Sequence, residues 1–230
     1  MYHDSLDSIL NDFKNYIIFI SNIGVKNFYF QNDTINILNS WNQSLYQRDS
    51  LNLIQQNAKN CNECVLHKTR KNVILGQGNS SAKIIFVGHF PSEEDDSIGY
   101  IFSGETGELL TRIIKAVKLS REEVYLSNIL KCRLPQESTI TKEDAKKCLA
   151  FFKREVDVIK PDFICAMGGF AAQVLLDSNE PFQKFRGHFY EYRGAKLFVT
   201  YHPYDILKDS SKKAETWADM QMFMREYDSL

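Results

Sequence analysis

The first 58 residues contain no proline, no cysteine and a single glycine, Gly24. In that stretch Ile9, Leu10, Phe13, Ile17 and Ile20 recur at helical spacing, and Ile35, Leu38, Trp41 and Leu45 do so again. We expect residues 1–58 to form a helical N-terminal extension and 59–230 to form the main domain. Other absences concern the whole chain. There is no run of eighteen apolar residues, so neither a membrane-spanning helix nor a membrane partner is expected. The opening residues, MYHDSLDSIL, lack a basic stretch followed by a long apolar one, which argues against a signal peptide. Five cysteines, an odd number, do not suit a disulfide framework. With no export signal they point to a reducing, cytoplasmic setting. A formal net charge of −1 creates no global field toward nucleic acid, although charge at the contact face is what matters. The 230 residues are enough to bury a sizeable core.

What is present is organised around Ala82 to Ile114. Ile84-Ile85-Phe86-Val87 has the length and β-branched content of a buried parallel strand. It stops at Gly88. Glu93-Glu94-Asp95-Asp96 follow in what reads as a loop. Phe102-Ser103-Gly104-Glu105-Thr106-Gly107 then leads into a helix with Leu109, Leu110, Ile113 and Ile114 on one face. Strand, polar loop, glycine-bearing turn and helix is how an open α/β sheet builds a site at the carboxyl ends of its strands. The alternation continues with strands at 124–126, 163–167 and 197–200. Helices are expected at 51–59, 170–176 and 212–227, and from the capping pattern Thr141-Lys142-Glu143-Asp144 to Pro161. The fold class is therefore α/β with three layers.

Cys61 and Cys64 form a C-x2-C pair, a chelating unit in many metal sites. Cys132 and Cys148 make a second, wider pair, unlike the repeated short pairs of a zinc ribbon. Four thiolates also suit a 4Fe–4S cluster, and four buried thiols with no metal are the plainer alternative. The spacing favours a metal and leaves zinc and iron–sulfur open. Cys165, inside an apolar strand, reads as core.

The ordered set of motifs resembles a known family. It runs Cys-x2-Cys, strand–Gly88-x-x-Pro91, Phe102-x-Gly-x-x-Gly-x-Leu-Leu, Tyr125-Leu-Ser-Asn128-x-x-Lys-Cys132-Arg-x-Pro, Cys148, Arg186-Gly187 and Thr200-Tyr-His202-Pro203. This looks like the iron–sulfur uracil-DNA glycosylases, often called family 4, and covers roughly Asn60 to Phe223. The resemblance implies an α/β/α fold on a central, mostly parallel four-stranded sheet. It implies a structural 4Fe–4S cluster on Cys61, Cys64, Cys132 and Cys148, and DNA carrying uracil or a related damaged base as the partner. A monomer is expected.

The same resemblance implies the site. Phe102 matches the aromatic that stacks the flipped base, and Asn128 the amide that reads uracil N3–H and O4. His202 matches the histidine that donates to uracil O2 as charge builds there. Gly88 opens the catalytic loop and is grouped with the base-binding positions. Residues Pro203 to Lys208 are expected as a loop in the minor groove. Lys68, Arg70, Lys71, Lys131, Arg133, Lys184, Arg186 and Lys208 are expected to meet DNA, and Ser103, Thr106 and Gly104 to Gly107 to bind phosphate. The loop departs from the family at one point: Gly88-His89-Phe90-Pro91-Ser92 carries His89 where a glutamate is usual. Either Asp95 or His89 then takes the water-positioning role. The alternative is a DNA-binding relative that keeps fold and cluster but does little chemistry.

Overall fold

The computed structural model describes residues 49–135 and 142–229, together with Asn15 and Phe19. The chain divides into two compact units, Met1–Arg48 and Asp49–Leu230. The helical patterns read at 9–20 and 35–45 lie outside the described residues, apart from Asn15 and Phe19, which are helical. The capping residue Thr141 lies outside them too.

The second unit opens with helix α1 (Leu51–Lys59), strand β1 (Gln77–Gly78) and strand β2 (Ile84–Gly88). Helices α2 (Glu93–Ile98) and α3 (Gly104–Ala116) follow, then β3 (Tyr125–Asn128), α4 (Lys142–Ile159) and β4 (Phe163–Met167). The chain continues through α5 (Gly169–Leu175), α6 (Phe182–Phe185), β5 (Phe189–Tyr192) and β6 (Ala195–Thr200). It ends with α7 (Pro203–Lys208) and α8 (Lys212–Tyr227).

The sheet order is β1-β3-β2-β4-β6-β5. β3, β2, β4 and β6 run parallel, as expected of four strands joined by helical crossovers. The sheet has six strands rather than four, because an antiparallel strand lies at each edge. β1 is two residues long and carries no apolar run. β5 is half-buried and folds back onto β6 through Arg193 (φ 52°) and Gly194 (φ 82°), both left-handed as a tight hairpin turn requires.

Alternation along the buried strands builds a core on each face. Ile85, Val87, Ile164 and Val199 pack with Phe152 of α4 and Ala172 of α5. Ile84, Phe86, Phe163 and Phe198 pack with Leu110 and Ile114 of α3 and Phe223 of α8. Cys165 is fully buried in the second core.

Three local expectations change. The acidic run is a helix: Ser92 Oγ accepts from the Asp95 N–H (3.0 Å), Asp95 Oδ2 accepts from the Ser92 N–H (2.9 Å), and Gly99 closes the turn at φ 80°. α3 begins at Gly104, one turn earlier than its apolar face suggests. Residues 203–208 form a helix with Pro203 in its first turn, where the missing N–H costs nothing.

Candidate functional site

Parallel strands end together, and their carboxyl ends gather the site. Gly88 closes β2 in register with Asn128 at the end of β3. His202 follows β6 and caps α7. Phe102 stands just before α3, at φ 50°. A Cβ on Gly88 would lie 2.6 Å from Asn128 Oδ1, 2.9 Å from His202 Nε2 and 2.9 Å from Phe102 Cζ. Three chain segments thus converge on one α-carbon that must carry no side chain. Phe102 is held from behind: its carbonyl accepts from Arg121 Nη1 (3.3 Å), and the Ile101 carbonyl accepts from Arg121 Nη2 (2.8 Å). Gly107 lies so near that a Cβ there would sit 1.6 Å from the Phe102 oxygen.

Asn128 and His202 are 1% and 3% exposed. Asn128 Oδ1 and His202 Nε2 have no hydrogen-bond partner among the described residues. Such atoms are costly to bury, so each marks a place where a partner is missing. His202 Nδ1 accepts from the Tyr204 N–H (3.2 Å), which puts the ring proton of a neutral imidazole on Nε2. Burial, with His89 beside it, holds the His202 imidazole well below the usual histidine range. The site therefore offers one acceptor and one donor, both buried.

His89 is stacked between His202 (centroids 4.0 Å apart) and Phe90 (4.1 Å). Its Nδ1 accepts from the Phe90 N–H at 2.8 Å, and burial lowers its pKa, so it too is a neutral ring. Asp95 is 4% exposed; its Oδ2 takes the Ser92 N–H and its Oδ1 the Ser103 N–H (2.7 Å). Each oxygen keeps a further lone pair. His89, Asp95, Phe102 and His202 line one cavity of about 370 Å³, which Arg133 and Tyr204 also border.

Cys61, Cys64, Cys132 and Cys148 line a second cavity with Arg70 and Lys131. Cys132 Sγ accepts from Arg70 Nη1 (3.3 Å) and Cys148 Sγ from the Lys131 backbone N–H (3.2 Å). Burial raises both thiols, Cys148 to about 12. Among the described residues no three His, Cys, Asp or Glu side chains are placed to hold a single metal ion.

Several cations expected on DNA are employed elsewhere. Lys131 is 1% exposed and paired with Glu155 at 2.8 Å. Arg70 holds Cys132 Sγ and the carbonyls of Lys59 and Cys61. Arg186 is clamped by Asp219 (2.9 Å) and Glu215 (2.5 Å). Arg133 faces Glu93 at 3.4 Å. Lys68, Lys71, Lys184 and Lys208 are exposed. The phosphate seat expected at the start of α3 is taken by carboxylates: Asp95 accepts from Ser103, and a Cβ on Gly104 would lie 2.0 Å from Glu94 Oε2. The positions of Arg70 and Lys131 against cysteine sulfurs were not foreseen; their closeness in sequence to Cys64 and Cys132 was the available sign.

Residues 75–221 match the model of the uracil DNA glycosylase superfamily. The chain is 36% identical over 172 residues to a type-4 uracil-DNA glycosylase of Thermotoga maritima, covering 74% of this chain and 90% of that protein. It is 34% identical over 181 residues to the type-4 uracil-DNA glycosylase of Archaeoglobus fulgidus, covering 75% and 91%. With that of Saccharolobus solfataricus the identity is 37% over 164 residues, covering 67% and 76%. The matched span runs from before β1 into α8 and so includes every residue that converges on Gly88. The match, over most of a sheet whose four central strands run parallel and carry polar residues at their ends, places this chain in the uracil DNA glycosylase superfamily.

Proposed function

We propose that the protein cleaves the N-glycosidic bond of uracil in DNA after the base is flipped from the stack. The observation that carries this is the pair of unpartnered buried atoms beside Gly88, Asn128 Oδ1 and His202 Nε2. Uracil presents an N3–H donor between two carbonyl acceptors. Asn128 Oδ1 accepts from N3–H while His202 Nε2–H donates to O2. Cytosine, with an acceptor at N3, would face an acceptor and be rejected. Phe102 stacks the base, and Gly88 leaves the room for it.

As the bond breaks, the sugar gains oxocarbenium character and the uracil leaves as an anion. A neutral imidazole donates to that oxygen without having to lose a proton, and low exposure strengthens the bond. Water attacks from the side lined by His89 and Asp95. His89 replaces the usual glutamate on the strand-end loop, and Asp95 reaches the same cavity from α2; one of these two side chains positions the water. The alternative, a DNA-binding relative with little chemistry, draws no support from the comparisons.

The four cysteines suit an iron–sulfur group. The four side chains line one cavity, and the sulfurs of Cys132 and Cys148 accept N–H bonds from Arg70 and Lys131. Four thiolates suit a 4Fe–4S cluster. When bound, such a cluster cross-links the segments that carry its ligands. Among the described residues no helix is long and apolar enough to cross a membrane.

Uracil-bearing single- and double-stranded oligonucleotides, treated with excess enzyme and then alkali, test the activity. Strand cleavage at the uracil is expected, and intact strands would overturn the reading. Anaerobically purified protein should be brown with about four irons per chain. Colourless protein with stoichiometric zinc would remove the cluster.

A further inference from the structure

A buried ion pair lies directly behind Asn128, and the excision chemistry above makes no use of it. Lys131 and Glu155 are each 1% exposed. The Lys131 ammonium donates to Glu155 Oε2 (2.8 Å), to Ser127 Oγ (2.7 Å) and to the backbone carbonyl of Asn128 (3.0 Å). Ser127 Oγ–H in turn donates to Glu155 Oε2 at 2.6 Å. Every ammonium hydrogen has an acceptor. The backbone of the same lysine is held as well: its N–H donates to Cys148 Sγ (3.2 Å), and its carbonyl accepts from the Ile74 N–H (2.7 Å). Glu155 and Cys148 lie two turns apart on one face of α4. That helix therefore grips a single residue at two points, sulfur to backbone and carboxylate to ammonium.

Stability alone does not explain the pair. Buried ion pairs barely recover the cost of desolvation, and apolar residues of similar volume often serve as well or better. What an apolar pair cannot supply is a directed hold on the Asn128 carbonyl. Asn128 Oδ1 has no partner of its own, so nothing fixes that oxygen from the side-chain end. Its position is set from the backbone: the Ile129 N–H donates to the Gly88 carbonyl (3.0 Å) on one side of that peptide, and the Lys131 ammonium holds the Asn128 carbonyl on the other.

We propose that Lys131 and Glu155 are positioning residues: through the Asn128 carbonyl they preset the amide for the base, and through Cys148 they join it to the cysteine centre. This rests on the reading of Asn128 as the base reader. The strain-free test replaces both charges, Lys131→Met with Glu155→Leu, because the single change leaves a charge buried alone. The double variant should fold, keep the visible absorbance of the iron–sulfur group, and bind uracil-free DNA as the parent does. Its kcat/KM on uracil-containing DNA should fall about 10- to 100-fold, the range expected on losing a hydrogen bond to a charged group. Inhibition by free uracil should weaken by the same factor. Adding Asn128→Ala to the double variant should cost no more than Asn128→Ala alone, since both act through one amide.

Loss of the absorbance, the fold or the affinity for uracil-free DNA in the double variant would make the pair a structural strut and overturn the proposal. Parent-like kinetics and uracil inhibition in the double variant, with Asn128→Ala impaired, would overturn it while leaving the pocket reading intact. Parent-like kinetics in Asn128→Ala would instead overturn the pocket reading, and this proposal with it.

Discussion

Ser127 and Asn128 are neighbours on β3, both buried, and they dispose of their polar atoms in opposite ways. Ser127 belongs to a closed network in which Lys131, Glu155 and a carbonyl satisfy one another. Asn128 points its oxygen at Gly88 and leaves it unpaired, with His202 Nε2 unpaired beside it. Successive residues of a strand face opposite sides of the sheet, so one dipeptide serves two purposes. The side facing α4 has its hydrogen bonds satisfied within the protein. The side facing Phe102 leaves buried polar atoms without partners among the described residues, at a cost in desolvation.

The largest effect should come from breaking the closed side. Lys131→Met leaves the Glu155 carboxylate buried and alone, and should destabilise the fold by about 3–5 kcal/mol. Denaturant unfolding measures it; a midpoint equal to the parent's would mean that the network contributes nothing and the contrast fails. On the open side, Asn128→Asp should cost about 1–3 kcal/mol in kcat/KM on uracil substrates, because a carboxylate cannot donate to O4. Single-turnover kinetics would show it, and unchanged rates would remove Asn128 from base reading.

Asn128→Leu sharpens the comparison further. It replaces an unsatisfied buried amide oxygen with an apolar group of similar shape, so folding stability should hold or rise by about 1 kcal/mol while excision is lost. Lys131→Met alone, which leaves a buried carboxylate without its cation, should instead lower stability. A Leu variant as destabilised as Lys131→Met would show that the amide oxygen is satisfied after all.

The smallest expected effect is in pH. Burial depresses the folded-state pKa of both His89 and His202 below the ordinary value of about 6.5. On acidification the unfolded chain takes up protons first. The stability linked to these rings is therefore complete above about pH 6.5 and declines as pH falls from there toward the folded values. Excision should follow, with an acid limb below pH 6.5. His89→Ala should shift or remove part of that limb if this ring positions the water. Loss of excision in Asp95→Asn with a parent-like His89→Ala would assign the role to the carboxylate instead.

Legibility in the chain followed the strength of the local signal. The run Ile84 to Val87 marks its strand because it is apolar on both faces. β1 is a Gln-Gly pair with no such run, and β5 alternates half-exposed residues, so pairing alone makes them strands. α2 was missed because four acids in succession read as solvent loop. Its sign was Ser92 three residues ahead of Asp95, a capping box that becomes evident once the bonds are seen. α7 was missed because a proline reads as a break, although in a first turn it begins a helix.

Charge misled most where distant partners decide burial. Lys131 in a polar stretch reads as a surface cation. Glu155, 24 positions away, made it an interior one. Arg186 was expected on DNA, and Asp219 on α8 took it.

The order of the motifs and the chemistry of each side chain were present in the chain before it folded: four thiols, an amide, an imidazole, an aromatic ring and a glycine to make room. Which of their atoms would be paired was not. A hydrogen bond depends on distance and direction between segments that are remote in sequence. Only the closing of β2, β3 and β6 side by side left Asn128 Oδ1 and His202 Nε2 facing Gly88 without partners, while the docking of α4 satisfied everything one residue away.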